Sequence, residues 1–169
     1  MRLDTRFLAR AGVMVALAVA FQSLGLQQPI TGPVVNAILF TSVEFVGTTA
    51  GALVGLVTPC VAVLTGILKV PFLVPVVIAG NVTLAVVYGL TKRFNRLGGA
   101  LAAAVAKYAA MTAGIKILVA GNVRLQPPVV ASMTVTQLYT ALGGAAVALA
   151  VIRGLDAIAK ARERGERAR

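Results

Sequence analysis

Apolar stretches of about twenty residues fill most of this sequence, and they restrict its possible folds more than any other feature. Hydrophobic residues make up 59% of the 169 residues, and the mean hydropathy is +0.91. A soluble domain of this length cannot cover so much apolar surface, whereas about 20 apolar residues cross the ~30 Å hydrocarbon core of a bilayer as a helix. No stretch alternates with the period of two that membrane β-strands show. The sequence therefore predicts an all-α integral membrane protein.

Polar and glycine- or proline-containing segments divide the chain into a single domain of six transmembrane helices, over residues 1–169. The predicted spans are about 7–26, 33–46, 51–68, 72–90, 100–120 and 130–152. The first span is followed by Gln27-Gln28-Pro29 rather than by a small-residue cleavage site, so we interpret it as retained. Residues 153–169 alternate apolar and charged side chains, which predicts a short amphipathic C-terminal tail helix at the membrane surface.

The basic residues are divided unequally between the two ends of these spans. Lys69 and Arg124 fall on one side, and Lys107 and Lys116 lie inside spans. The other twelve fall on the opposite side: Arg2, Arg6, Arg10, Lys92, Arg93, Arg96, Arg153, Lys160, Arg162, Arg164, Arg167 and Arg169. Because Lys and Arg near span ends are retained in the cytoplasm, both termini are predicted to be cytoplasmic. Contact of these loops and the tail with an anionic lipid bilayer explains the net charge of +11, so no nucleic-acid partner is inferred.

The composition leaves little material for a catalytic or metal site. The chain has no histidine, one cysteine (Cys60) and five carboxylates. Histidine is the commonest general base and metal ligand, and a lone cysteine excludes an internal disulfide and a cysteine metal cluster. We therefore predict no catalytic residues, no metal, no cofactor and no enzymatic activity in this chain.

Two charged residues are predicted to pair within the membrane. Counted from Pro33, Glu44 lies about 16 Å below one face, and Lys107, counted from Gly99, lies about 12 Å above the other. In a core about 30 Å thick these depths nearly coincide. The expectation is an intramembrane Glu44–Lys107 pair, or at least one polar seam that both residues share, and the alternative is that Glu44 reaches cytoplasmic water at the end of a short span.

Polar side chains collect in the outer half of the bundle. Amides, hydroxyls and cations there could line an outward-facing site for a small polar, anionic ligand. The candidate substrate-binding residues are Asn36, Asn81, Lys116, Arg124, Gln137 and Lys69. The alternative is that these groups only hold the helices together by hydrogen bonds.

The first span carries a stripe of small residues, Gly12, Ala16 and Ala20, at intervals of four. Such a stripe lets another helix approach closely. We therefore predict a partner-docking face on this span.

The chain resembles the substrate-binding S components of energy-coupling factor (ECF) vitamin transporters over nearly its whole length. The resemblance rests on six spans in about 170 residues, on cytoplasmic termini and on four short segments. These segments are Ala16-Leu17-Ala18-Val19-Ala20, Thr31-Gly32-Pro33-Val34-Val35-Asn36-Ala37-Ile38-Leu39, Val57-Thr58-Pro59 and Ala79-Gly80-Asn81. They are similar to the group that includes pantothenate, folate, queuosine-precursor and cobalamin S components.

The resemblance implies a binding subunit in a prokaryotic plasma membrane that captures a micronutrient from outside. It implies docking through Ala16 and Ala20 onto an ECF module, which is a transmembrane coupling subunit with two ATPases, and release inside by toppling of the S component. Among the candidate site residues, only Asn36 and Asn81 lie in family-like segments. The alternatives are a stand-alone proton-coupled carrier using Glu44 and Lys107, a structural membrane protein, and, last, a membrane enzyme.

Overall fold

The structure, a computed structural model, describes residues 4–167, and all its regular structure is helical. Seven α-helices follow one another along the chain, and a single 3₁₀ turn at Pro71–Leu73 precedes the fourth. Their bounds are α1 Thr5–Gln22, α2 Gln28–Phe45, α3 Thr48–Leu64, α4 Val74–Thr91, α5 Arg96–Ala120, α6 Pro127–Met133 and α7 Val135–Arg167. Of the twelve basic residues assigned to one side, Arg2 and Arg169 lie outside the described residues.

Four helical segments within residues 4–167 are long and apolar enough to cross a membrane. They are Thr5–Gln22, Pro71–Thr91, Arg96–Ala120 and Pro127–Arg164. The remaining long helices differ in kind: α3 is apolar but has 17 residues, and α2 carries polar residues and packs against α1, α3, α4 and α7. The predicted all-α membrane bundle is thus confirmed in its class, with four segments that meet the length and apolarity of a span.

The second helix starts earlier than the sequence suggested. It begins at Gln28, so Pro29 occupies the first turn, where its missing N–H costs nothing, and Pro33 lies inside the helix. It ends at Phe45, and Gly47 turns the chain with a φ of +127°, a value that side chains with a Cβ rarely adopt. The break between the predicted spans 33–46 and 51–68 is therefore confined to residues 46–47, because α3 begins at Thr48.

The last predicted span is broken in the structure. The short α6 ends at Met133, and Thr134, with φ −120° and ψ −88°, separates it from α7. The predicted tail helix is present as a continuation of the last span, because α7 runs without interruption from Val135 to Arg167. No proline lies in this stretch, so nothing stops the helix. Its 33 residues span about 50 Å, well beyond a ~30 Å hydrocarbon core.

Buried apolar residues form two clusters, one toward each end of the bundle. The first contains Leu39, Phe40, Leu84 and Tyr88, and the second contains Leu73, Val76, Met111 and Met133. The boundary between them is polar on three successive helices: Thr58 lies between Val54 and Ala62 on α3, Asn81 between Val76 and Leu84 on α4, and Lys107 between Ala104 and Met111 on α5. We call this boundary the polar layer, and it includes Asn36 on α2.

Candidate functional site

Lys107 is the centre of the polar layer. Its side chain is buried, and Nζ donates hydrogen bonds to Asn36 Oδ1 at 2.7 Å and to Asn81 Oδ1 at 2.8 Å. Three helices, α2, α4 and α5, thus meet at one ammonium group. Hydrogen bonds of this length to a charged donor are the strong ones in proteins, and they are stronger in a medium of low dielectric constant.

The neighbouring hydroxyls determine which way both asparagine amides face. Thr58 donates to Val54 O at 2.9 Å and Thr140 donates to Gln137 O at 3.1 Å, so each hydroxyl oxygen is left as an acceptor. The Asn81 amide nitrogen donates to Thr58 Oγ1 and to Gly55 O, and that of Asn36 donates to Thr140 Oγ1. Both amide oxygens are consequently turned toward Lys107. The layer is organised in advance around a cation.

Glycines allow the helices to approach closely enough for these contacts. A Cβ built on Gly55 would lie 2.9 Å from Asn81 Cβ, and one on Gly144 would lie 2.7 Å from the Pro33 carbonyl oxygen. Real Cβ atoms essentially never come this close to such neighbours. The close contacts of α3 with α4 at Gly55 and of α7 with α2 at Gly144 therefore determine where Asn81 and Asn36 lie.

A cavity of about 80 Å³ adjoins the polar layer on the side of α6. It is bounded by the last turn of α1, the first half of α2, the second half of α3, the first half of α4 and the α6–α7 break. Its polar lining includes Gln22, Asn36, Thr58, Asn81, Lys107 and Gln137. Its apolar lining includes Val35, Ala62, Ile67, Leu68, Val77 and Met133. Lys107 is the one ionisable side chain among the described residues in this lining, so any fixed charge in the cavity wall is positive.

Three of the six predicted substrate-binding residues, Asn36, Asn81 and Gln137, line this cavity. The other three, Lys69, Lys116 and Arg124, are exposed and lie outside its lining. The structure therefore brings the predicted amides together and leaves the predicted cations apart from them.

Lys107 lines the cavity, although the sequence predicted a pair with Glu44 for it. A signal for its position was present, because Ala100, Ala103, Ala104, Lys107 and Met111 recur at helical spacing and form the buried face of α5. Small residues on a membrane helix favour the face that packs against other helices. Lys107 therefore shares the inward face, and Lys116 lies on the exposed one.

The predicted Glu44–Lys107 pair is wrong. The Glu44 carboxylate instead pairs with Arg96 Nη2 at 2.9 Å and Lys92 Nζ at 3.3 Å, and it accepts a hydrogen bond from the Tyr88 hydroxyl at 3.3 Å. Arg96 also pairs with Asp156 of α7 at 2.6 Å. We call this group the Glu44 network.

The depth estimate failed because both helices begin earlier than the counting assumed. With α2 starting at Gln28 instead of Pro33, Glu44 lies about 24 Å along the helix rather than about 16 Å, and it is the penultimate residue because α2 ends at Phe45. Starting α5 at Arg96, where the Asn95 side chain accepts a hydrogen bond from Gly98 N at 3.0 Å, places Lys107 about 16 Å along the helix from the Glu44 network. The two charges thus lie at different depths.

The small-residue stripe of α1 faces away from the bundle. Gly12, Ala16 and Ala20 are exposed, whereas Ala11, Ala18 and Gln22 of the same helix are buried. A Cβ on Gly12 would meet no atom within 4 Å. The predicted docking face is therefore accessible, and its docking role stays a prediction.

The described residues contain no group of three or more His, Cys, Asp or Glu side chains placed to hold a metal ion. Comparisons with protein-family models, curated proteins and solved structures found no match to this chain. The resemblance to ECF S components consequently depends on the spans and short segments of the sequence.

Proposed function

We propose that this protein is the substrate-binding S component of an ECF-type importer in a prokaryotic plasma membrane. It captures a small polar, anionic vitamin or related micronutrient from outside, and a separate ATP-hydrolysing module drives its delivery to the cytoplasm. The observation that carries the proposal is the buried Lys107, held by Asn36 and Asn81 in the wall of a cavity. Two of these residues belong to the segments that resemble the family.

The proposed orientation places the cavity outside and the Glu44 network inside. The start of α1, the α4–α5 connection and the distal half of α7 carry most of the basic residues, and they lie toward the Glu44 network. Lys and Arg near span ends favour the cytoplasmic side. In this arrangement α2 and α3, about 27 Å and 26 Å long, also cross the membrane, which makes six spans and two cytoplasmic termini.

Ligand capture in this proposal includes movement of the α3–α4 connection. The cavity of about 80 Å³ is smaller than the roughly 300–1,000 Å³ typical of small-molecule sites. Ile67 and Leu68 of this connection line the cavity, and Gly66 beside them has a φ of +73°. Displacement of these two side chains would enlarge the site without disturbing the polar layer.

The proposal is tested by uptake and by ligand retention of the full chain. The protein is expressed with and without an ECF module, and the small molecules retained after purification are identified by mass spectrometry. We expect a micronutrient to be retained in both cases and ATP-dependent uptake only with the module. Uptake that persists without any ATPase partner would favour the proton-coupled carrier. Absence of both retention and uptake would favour a structural role.

A second prediction concerns the α1 stripe. Replacing Ala16 with Trp places a large side chain at an exposed position of α1, so the fold is expected to persist. Close helix approach would be lost, and we expect co-purification with the module to fall at least about tenfold, as for a small-to-large change in a close helix contact. The control is Leu17→Trp, an exposed position outside the stripe. Equal complex yields for the two variants would contradict docking through the stripe.

A third prediction ranks four basic residues by their contribution to ligand affinity. Replacing Lys107 with Gln is expected to reduce ligand affinity more than replacing Lys69, Lys116 or Arg124 with Gln, since a buried charge is screened far less than exposed ones. Isothermal titration calorimetry with the retained ligand measures the order. A larger loss at any of the three exposed cations would restore their predicted role in substrate binding.

A further inference from the structure

The polar layer has one positive charge and no negative charge to balance it. The chain has five carboxylates, Asp4, Glu44, Asp156, Glu163 and Glu166, and within residues 4–167 none of them pairs with Lys107. Its two partners are neutral amide oxygens. A buried charge without a counter-ion is costly, and it is ordinarily paired. Within residues 4–167 the chain supplies no counter-ion for the Lys107 ammonium group, and an anion bound in the adjoining cavity would supply one.

The geometry leaves room for that partner at Lys107. An ammonium group has three donors, and Asn36 and Asn81 take two of them. The hydroxyls of Thr58 and Thr140 donate to helix carbonyl oxygens. Their oxygens accept hydrogen bonds from the amide nitrogens of the two asparagines, so neither hydroxyl accepts from Lys107. No further acceptor among the described residues bonds Lys107, and Lys107 lines the cavity. The third donor is available to a group in the cavity.

A second polar atom lacks a partner in the same lining. Gln22, in the last turn of α1, is 5% exposed, and its Oε1 accepts no hydrogen bond from the described residues. A buried carbonyl oxygen without a donor costs free energy unless a ligand or water supplies one. The remaining lining includes Val35, Val77 and Met133, which would contact an apolar body.

We propose that the occupant is a small monocarboxylate, whose carboxylate completes the shell of Lys107 and whose own N–H or O–H group donates to Gln22. One cation in the layer matches one negative charge, which favours a carboxylate over a doubly charged phosphate. This inference deepens the proposed function, on which its biological meaning rests, but it concerns a binding property that is measurable without transport.

The test uses small probes for the carboxylate part of this proposal: propionate and propionamide have nearly the same shape but differ in charge and in hydrogen-bond donors, and phosphate is a second type of anion. The purified full-length protein is titrated with propionate, propionamide and inorganic phosphate at constant ionic strength, and binding is followed by thermal shift. We expect propionate to bind at least about tenfold more tightly than propionamide, the size of a charge-assisted hydrogen bond. Phosphate is expected to bind more weakly than propionate. Equal binding of acid and amide, or a preference for phosphate, would overturn the proposal.

Two substitutions separate charge recognition from folding. Lys107→Gln keeps a donor for the asparagine oxygens but removes the charge. Asn36→Asp keeps Lys107 and supplies an internal carboxylate, and the Thr140 hydroxyl can rotate to donate to it. Both are expected to reduce the acid-to-amide preference to about one. The control Lys160→Gln, on the exposed end of α7, should retain the full preference.

The outcomes also distinguish this inference from the proposed function. A tenfold acid preference that survives in Asn36→Asp would refute the role of Lys107, even if ATP-dependent uptake is observed. A preference lost in both variants would support it, even if no ATPase module couples to the protein. If Lys107→Gln does not fold, Asn36→Asp alone decides.

Discussion

Replacing Gly144 with Ala is expected to destabilise the bundle by about 1–3 kcal/mol, the usual cost of overpacking. The added Cβ would lie 2.7 Å from the Pro33 carbonyl oxygen and 2.9 Å from the Ala37 amide nitrogen. Both atoms belong to the backbone of α2, so no side-chain rotation can relieve the clash. The helix α7 must move away from α2, and Asn36, which lies between those two contacts, must move with it.

The neighbouring Gly143 provides a matched control. A Cβ at this position would lie 3.5 Å from Pro33 Cβ, an ordinary van der Waals contact. Because Ala is favoured over Gly in a helix by about 1 kcal/mol, Gly143→Ala should be neutral or stabilising. Unfolding of both variants in detergent by heat or denaturant measures the difference. Equal stability of Gly144→Ala and Gly143→Ala would show that α2 and α7 are not in close contact at Gly144.

The displacement of Asn36 has a second expected consequence. Since Asn36 is one of two oxygens that hold Lys107, Gly144→Ala should also weaken retention of the ligand, and Gly143→Ala should not. Mass spectrometry of the purified variants measures this effect in parallel with their stability.

The second large effect is expected at Glu44. Its side chain is 9% exposed, and it contacts Tyr88 of α4, Lys92 directly after α4 and Arg96 at the start of α5. Glu44→Gln preserves the shape and removes the charge that both cations face. Hydrogen bonds to charged groups contribute roughly 1.5–3 kcal/mol, and the 45% exposure of Arg96 places the expected loss at about 1–3 kcal/mol.

Glu166 provides the comparison at a solvated site. It pairs with Arg162 one helical turn away at 3.2 Å, but the two side chains are 68% and 83% exposed. Such exposed pairs contribute about 0.3–0.5 kcal/mol, so Glu166→Gln should lower stability by no more than that. High salt should screen the Glu166 pair and leave most of the Glu44 effect. A Glu44→Gln loss as small as that of Glu166→Gln would mean that the Glu44 network contributes nothing beyond a surface pair.

The class of fold was predictable because it depends on composition and segment length. Apolar stretches of helical length identified an all-α membrane bundle, and polar breaks between them located the helices to within a few residues. The predicted and observed helix bounds differ where the local sequence does not mark a single start or end. Pro29 and Pro33 both fit near a helix start, and the structure begins α2 before the first of them. No proline or glycine lies at the break at Thr134, so the sequence did not predict it.

The members of the polar layer were only partly predictable. Asn36, Asn81 and Gln137 were identified because amides are costly in a membrane helix and must have partners. The sequence predicted a pair of Lys107 and Glu44 because the two residues lie at nearly the same depth in the membrane when counted from the predicted span ends. Errors of three to five residues at two helix starts changed the relative depth of these residues by several ångströms, which exceeds the reach of a hydrogen bond.

The amino-acid sequence specified what had to be buried, namely the apolar helices and a few polar groups that need partners inside them. It did not specify which partners these would be, since that depends on rotation of each helix about its axis and on the separation that glycines permit. Gly55 against Asn81 and Gly144 against α2 set those distances, and they bring two amide oxygens onto one ammonium group. The energy of a buried charge is governed by atoms within a few ångströms, so the role of Lys107 became evident from packing in three dimensions.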